Sequence, residues 1–378
     1  MSGGVDSSVA AALLKRDGFR VVGVYMKCWS EGLACTSEDD ERSARLAAAH
    51  LEIPFYTWNF IKEYRERVVQ YMLVGYQKGI TPNPDIMCNK EIKFGLFFDK
   101  AMRLGADYVA TGHYARIRRY SSSKTDPQNP SEILGSALSP RRSATQKPYR
   151  RGSEGFSQKN ICSSVILIAK DGNKDQSYFL SFIKPEVLSR VLFPIGDYTK
   201  PEVRVLAKKF GLPNAERKES QGICFIGKVN FDEFLKQHIL SDPGEIVDTV
   251  GTVLGKHDGL ALYTIGQRKG IRLSGGPYYV VRKDFESNRL VVSKNEEDLK
   301  KKEVVVVSMN WFSGNSAEIP SEVEAKIRYR TSSVSGTLSK IRDTQYKIQF
   351  SEPQRAVTPG QFAVLYKGEE LLGGGVIG

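Results

Sequence analysis

Two periodicities divide this chain, and they restrict its fold more than any single motif. In the first half, short apolar runs alternate with stretches of helical spacing. VAAALLKR is followed by RVVGVYMKCW, SEDDERSARLAAAHLEI, PFYTWNF, KEYRERVVQYMLVGYQKG and ADYVATGHYARI. From GEIVDTVGTVLG onward the texture changes to short strands parted by glycine turns: YYVVRKD, RLVVSKN, EVVVVSMNWF, EVEAKIRYR, YKIQFSE and GQFAVLYKGEELLGGGVIG. Strands alternating with helices specify a parallel sheet in a doubly wound α/β domain. Regularly spaced strands with glycine turns specify an all-β module of the barrel kind. Between the two, DQSYFLSFIKPEVLSRVLFPIGDYTKPEVRVLAKKFGL reads as mostly helical.

The α/β half opens on MSGGVDSSVAAALL. Gly3 and Gly4 permit a sharp turn and a close approach of backbone to ligand. Ser7 and Ser8 add hydroxyls, and Asp6 or Ser7 is placed to cap the helix that follows. A glycine turn running into a helix N-terminus aims free N–H groups, and the positive end of the helix dipole, at one spot. A plain capped turn would look similar. The loop lacks the Gly-Lys-Ser/Thr ending of a Walker A sequence. In doubly wound sheets ligands sit beyond the carboxyl ends of the strands. The opening loop, Met26 after VGVY, and the TGH of residues 111–113 all fall at such ends.

The chain has 378 residues and a net charge of +12, which suits a polyanionic partner. The charge is uneven: 116–160 holds ten Lys/Arg against three Asp/Glu. Much of that stretch is rich in serine and proline, and 120–163 reads as a disordered insertion between two strands. No run of eighteen apolar residues is present, so no membrane span is expected. The five cysteines, Cys28, Cys35, Cys88, Cys162 and Cys224, are odd in number and scattered, which argues for a reducing compartment. No C-x-x-C occurs, and the four histidines lie at no zinc-like spacing from a cysteine, so no metal set is expected.

Two cysteines stand in chemically suggestive surroundings. TPNPDIMCNKEIKFG reads as a proline-punctuated loop with Asp85 three residues before Cys88. Asp85 could take a proton from an attacking thiol or a substrate base. Lys90, Lys93 and a helix start would lower the Cys88 thiol pKa. Cys224 lies in ERKESQGICFIG, 136 residues further on, and the two thiols could meet across a cleft.

SGGVDSS resembles the pyrophosphate loop of the ATP pyrophosphatases, or PP-loop proteins. With TPNPDIMCNKEIKFG, ATGHYAR, KDQSYFL, SQGICFIG, YTIGQRKG and GQFAVLYKG in this order, the chain resembles the tRNA-specific 2-thiouridylases over nearly its whole length apart from 120–162. The resemblance implies a PP-loop domain (adenine nucleotide alpha hydrolase-like), a small central domain and a C-terminal β-barrel. We place these at 1–193, 194–256 and 257–378. It implies ATP-dependent replacement of the wobble uridine 2-oxygen by sulfur, through an adenylate and a cysteine persulfide. The partners would be tRNA and a sulfur-donor protein (a cysteine desulfurase or a sulfur relay), with ATP and Mg²⁺, in the cytoplasm or an organelle, without a membrane.

Carried over residue by residue, Ser2, Gly3, Gly4, Val5, Asp6, Ser7 and Ser8 match the pyrophosphate loop, and Met26 and Gly112 match other nucleotide contacts. Asn83, Pro84 and Asp85 match the segment meeting the target base, with Asp85 as acid/base. Cys88 matches the nucleophile, and Cys224 the persulfide carrier that can form a disulfide with it. His113, Lys174, Asp175, Gln176, Arg328, Tyr329 and Gln361 match tRNA-contacting positions. One departure stands out. PP-loop domains carry a central strand just before the loop, whereas only Met1 precedes Ser2 here: either the start is misassigned and the strand lies upstream, or Met1 is the true start and the strand is missing, with a cost to ATP affinity and stability. Two other readings use fewer residues. A PP-loop synthetase of the amidotransferase type would leave the cysteine pair idle, and a non-catalytic RNA-binding protein would also leave the loop idle.

Overall fold

The computed structural model describes residues 1–29, 37–120, 164–218, 231–240, 242–312 and 321–378. Cys224 and the insertion beyond Tyr120 lie outside the described residues.

The N-terminal half contains helix α1 (Val5–Arg16), strand β1 (Gly23–Lys27), α2 (Ser37–His50) and β2 (Phe55–Asn59). A helical run follows, made of α3 (Ile61–Tyr64), a π turn at Arg65–Val69 and α4 (Gln70–Gln77). A second run comprises α5 (Pro84–Met87), a π stretch at Cys88–Phe97 and α6 (Phe98–Arg103). Helix α1 is alanine-rich and buried on several sides, with Val9 and Leu13 at 0% and 2% exposure. Small side chains let its neighbours approach, and the helix ends at Asp17 with Lys15 and Arg16 in its last turn, where cations oppose the dipole favourably.

β1 and β2 pair in parallel, from Gly23↔Phe55 to Lys27↔Asn59. Strand β3 (Val109–Ala110) pairs in parallel with β6 (Val191–Leu192). Between them in sequence come β4 (Arg116–Arg119) and β5 (Ser164–Leu167), which pair antiparallel. Among the described residues no strand precedes the opening loop, and the parallel strands of the N-terminal half stand as two separate pairs, β1 with β2 and β3 with β6. The Met1 ammonium donates instead to the Val24 carbonyl of β1.

The segment after β5 is less helical than its sequence suggests. It forms two 3₁₀ turns, Ser177–Leu180 and Pro185–Arg190, before α7 (Lys200–Lys209). The turns dock against the C-terminal half. Tyr178 Oη donates to Phe362 O at 3.1 Å, and Asn310 Nδ2 donates to Ser181 O and Ile183 O. Helix α7 starts at a full capping box: Thr199 and Glu202 satisfy each other's backbone N–H groups. Its Val203 and Ala207 enter the core beneath α1. A short amphipathic helix, α8 (Phe231–His238), puts Phe234 and Leu235 into the core beside Cys28 and Cys88.

The rest is β structure. Strands β7 (Gly244–Val247), β8 (Val253–His257), β9 (Tyr279–Asp284) and β10 (Arg289–Ser293) form one sheet in the order β8-β7-β10-β9. Strands β11 (Lys300–Trp311), β12 (Ser321–Lys326), β13 (Val334–Arg342), β14 (Gln345–Arg355), β15 (Phe362–Lys367) and β16 (Glu370–Ile377) close into a six-stranded barrel when β16 pairs with β11. Alternate residues of β12 to β14 point into it: Val323, Ala325, Leu338, Tyr346, Ile348 and Phe350 are buried. The division between middle unit and barrel therefore falls at 294–299. It does not fall at 256/257, because β10 hydrogen-bonds with β7 and β9 with β10, in a sheet separate from the barrel's. β5 pairs with β16, Leu371↔Ile166, so the barrel sheet continues into the N-terminal half.

Candidate active site

The glycine loop is built to present backbone N–H groups. Gly3 has φ +79°, which favours glycine, and a Cβ there would collide with the Asp40 carbonyl. The N-cap of α1 is Gly4, with no side-chain cap. Asp6 and Ser7 therefore do not cap the helix. Ser7 Oγ and Ser8 Oγ donate back to Gly4 O, and Ser2 N donates to Ser7 Oγ at 3.0 Å. The first-turn N–H groups are left without side-chain acceptors, which is the state an anion site needs. Gly112 lies against this turn, where a Cβ would stand 2.7 Å from Ser7 N. Met26, two residues beyond Val24, sits at the end of β1.

Four side chains absent from the sequence reading surround the loop. Lys200 Nζ lies 2.7 Å from Asp6 Oδ1, and Tyr114 Oη donates to the same oxygen at 2.9 Å. Asn214 Nδ2 donates to Gly3 O and Ser8 Oγ, and Arg217 bridges Gly3 O and Asp40 at 3.1 and 2.6 Å. Lys200 lies 194 residues from Asp6, so no local pattern links them. The one visible signal was TKPEV, a capped helix start with a lysine in its first turn. Together Lys200 and Arg217 put two cations beside uncapped N–H groups. Phosphate groups fit such a place. Among the described residues no group of three or more His, Cys, Asp or Glu side chains could hold a metal ion.

A second cluster surrounds Cys88. The proline-punctuated segment is helical from Pro84, with Asn83 Oδ1 capping Ile86 N at 3.2 Å. Asp85 and Cys88 are thus one turn apart on the same side of one helical run. Cys88 is fully buried, and burial pushes its thiol up to about 12, with Lys93 pulling down and Cys28 and Asp85 pushing further up. The expected lowering of this thiol does not occur, because desolvation outweighs one lysine. Asn89 donates from Nδ2 to Phe179 O at 3.0 Å, while its buried Oδ1 has no partner.

The proposed tRNA positions divide by what their polar atoms already hold. Asp175 is buried and accepts from Ala169 N, Ser177 N and Ser177 Oγ. Gln176 Oε1 accepts from Tyr114 N at 3.0 Å. His113 is buried between Phe94 and Phe193 and bonded to Thr111, and burial holds it neutral. Gln361 Nε2 donates to Thr81 O and Pro82 O at 2.8 and 3.3 Å, joining the barrel to the segment carrying Asp85. Arg328 donates to Ile265 O and Thr358 Oγ1, tying the barrel to the middle unit. The Tyr329 ring is 4.3 Å from that of Phe179. Lys174 ends the turn from Asp171. The two halves, the middle unit and the barrel thus converge beside Asp85 and Cys88.

Comparisons with known proteins agree across the chain. Residues 1–137 and 145–228 match the family described as a tRNA methyl transferase HUP domain. Residues 232–294 match its PRC-barrel domain, and 301–377 an aminomethyltransferase beta-barrel domain. The chain is 42% identical over its full length to a protein of Legionella pneumophila named tRNA-specific 2-thiouridylase MnmA, covering 96% of that protein. Proteins of the same name from Lysinibacillus sphaericus and Halalkalibacterium halodurans are 42% and 41% identical, again over the whole chain, which spans 92% and 93% of them.

Proposed function

Because this chain belongs to the tRNA-specific 2-thiouridylase family, we propose that it uses ATP to replace the 2-oxygen of a tRNA wobble uridine with sulfur. One observation carries the chemistry. An uncapped helix N-terminus with Lys200 and Arg217 beside it stands in the same structure as a helix that puts a carboxylate one turn before a buried thiol. The description of the matched family speaks of methyl transfer. A methyl transfer would have no use for a phosphate cradle.

In our reading the uracil 2-oxygen attacks the α-phosphorus of ATP, and pyrophosphate leaves toward the N–H groups of Gly4 to Ser7. Lys200 and Arg217 balance its charge. Mg²⁺ would be held mainly by phosphate oxygens with Asp6 as the protein carboxylate, as is usual for this ion. Cys224 carries the persulfide, whose outer sulfur attacks C2 as the C2–O bond breaks and AMP departs. Cys88 then attacks the Cys224 sulfur, forming a Cys88–Cys224 disulfide and freeing the thiocarbonyl, and a dithiol reductant resets the pair. Asp85 takes the Cys88 proton. A stacked anticodon base cannot reach a buried thiol, so the uridine is flipped out, with Tyr329 and Phe179 as the aromatic surface nearest to hand. Asn83, Asp175, Gln176 and Gln361 act on the tRNA by fixing the walls of the pocket, and Lys174 and His113 complete them. The sulfur donor is a cysteine desulfurase or a relay protein.

The test is pyrophosphate release from labelled ATP with and without tRNA, followed by mass spectrometry of the Cys88→Ser and Cys224→Ser proteins after incubation with a cysteine desulfurase and cysteine. The reading requires tRNA-dependent release, and one added sulfur on the Cys224 peptide of Cys88→Ser only. Full thiolation by either variant would remove the thiol-pair mechanism. Release without any need for tRNA would favour another adenylating reaction.

A further inference from the structure

Two further arginines, Arg268 and Arg355, stand near Arg328 at the junction of the middle unit and the barrel, and the mechanism gives them no role. Arg328 is half-buried, and among the described residues its guanidinium hydrogen-bonds the Ile265 carbonyl and the Thr358 hydroxyl, both neutral, and forms no ion pair with a carboxylate. A guanidinium taken partly out of water with no carboxylate opposite is costly unless an anion completes it. A second guanidinium faces it. The terminal nitrogens of Arg328 and Arg355 lie 3.9 and 3.8 Å from the point where a Gly266 side chain would begin. Gly266 itself has φ +84° and no room for a Cβ, which would stand 2.6 Å from Ala356 Cβ. Glycine thus keeps the space between the two arginines open.

A third cation comes from the turn after Gly266. Gln267 braces that turn by accepting from Thr264 N and donating to Lys269 O. The turn carries Arg268, exposed at the edge of an open cavity that it lines with Arg272 and Tyr278. Arg268 and Arg355 both act electrostatically on Glu296, the one carboxylate of the group, which Arg355 contacts at 3.2 Å. Three guanidinium groups against one carboxylate leave an excess of positive charge. The cluster is also coupled to the reacting centre. Thr264 Oγ1 meets Thr81 Oγ1 at 3.4 Å, and Gln361, three residues after Thr358, holds the Thr81 and Pro82 carbonyls just before Asp85.

We propose that Arg268, Arg328 and Arg355 form a phosphate-binding cluster that takes a backbone phosphate of the tRNA next to the flipped nucleotide. The proposal rests on the tRNA-thiolating reading above. It adds Arg268 and Arg355, which that reading does not use, and gives Glu296 the opposite role of limiting affinity. Planar guanidinium groups suit phosphate oxygens bidentately. A phosphate contact contributes no base preference, so the cluster positions the anticodon loop and does not read it.

The test is tRNA binding by the full chain at several monovalent salt concentrations, with an unmodified wobble-uridine tRNA transcript as the probe. Arg355→Gln and Arg268→Gln should each weaken binding by about fivefold and flatten the log Kd against log salt slope by roughly one unit. Glu296→Gln should tighten binding by about twofold to fivefold, because it removes a negative charge from the cluster. Arg355→Lys should keep the salt slope even if it melts earlier, which separates charge from packing. Unchanged slopes in both glutamine variants would overturn the cluster, as would weaker binding with the slope intact. If these variants behave so while the wild type binds and thiolates, only the cluster falls. A wild type that does not bind tRNA would overturn both this proposal and the functional reading beneath it.

Discussion

Lys200 closes on Asp6: the ammonium of the first residue of α7 lies 2.7 Å from a carboxylate oxygen in the first turn of α1. The pair is well covered, with side-chain exposures of 11% and 31%. It joins the pyrophosphate loop to a helix whose own start is locked by Thr199 and Glu202. Lys200→Met should leave Asp6 with the Tyr114 hydroxyl as its main partner, at a cost of about 1–3 kcal/mol in stability. The KM for ATP should rise about tenfold or more, since a phosphate-side cation is lost. Calorimetric melting and pyrophosphate release measure the two effects, and an unchanged KM would remove Lys200 from the ATP site.

Cys88 should be sluggish in the resting protein. With its thiol at about 12, the thiolate is scarce at neutral pH, and the thiolate is the reactive species. Its modification by iodoacetamide should be at least about a hundredfold slower than that of free cysteine at pH 8, and should quicken about tenfold per pH unit up to pH 10. Peptide mass spectrometry follows the adduct. Rapid labelling at pH 7 without substrates would mean that the thiol is not held in the buried, protonated state described here.

His113 should make the fold sensitive to acid. Burial keeps it neutral, with its folded pKa well below the ordinary 6.5. The unfolded chain therefore takes up the proton first, and the stability tied to neutral His113 is present above pH 6.5 and lost as pH falls below it. Between pH 7.5 and 5.5 the melting temperature should drop less in His113→Gln than in the wild type. Equal drops would show that this histidine does not titrate with unfolding.

Gln361 should matter to tRNA and not to ATP. Gln361→Ala leaves the Thr81 and Pro82 carbonyls without their donor, which costs about 1–2 kcal/mol locally. Thiolation kcat should fall about tenfold through misplacement of the Asp85 helix. The KM for ATP should stay within about twofold, because Gln361 bonds to the Thr81–Pro82 segment and to no residue of the glycine loop. Steady-state kinetics with each substrate varied in turn decide it, and a shift confined to ATP would contradict the assignment.

The legible parts of this protein were those written in short-range pattern. The β12 to β14 alternation, the alanine-rich α1 and the glycine turn with Ser7 and Ser8 announce themselves within a few residues. What escaped depends on distance or on burial. Lys200, Asn214 and Arg217 reach Gly3 and Asp6 only once the chain has closed on itself. The sequence points the wrong way for the Cys88 thiol, because it displays Lys90 and Lys93 and hides the core that desolvates the sulfur. The sequence suggests a boundary at 257 and the sheets place it later, because every short strand looks alike until its partner is known. The pairing of β10 with β7 assigns Arg289–Ser293 to the middle unit. Asp175 and Gln176 look like surface recognition residues in KDQS, yet their acceptors are occupied by backbone N–H groups.

The pairing of β5 with β16 makes one continuous pleated surface out of the barrel and the strand pair that follows the ATP-binding region. Seams between modules are ordinarily where a multidomain protein flexes. Here such a seam is crossed by main-chain hydrogen bonds, so the barrel and the β4–β5 pair are stitched into one sheet. Bending there would break a ladder. Any opening that admits the anticodon must come from smaller pieces hung on that sheet, and a barrel grafted from a relative would have to match the β5 edge as well as the RNA.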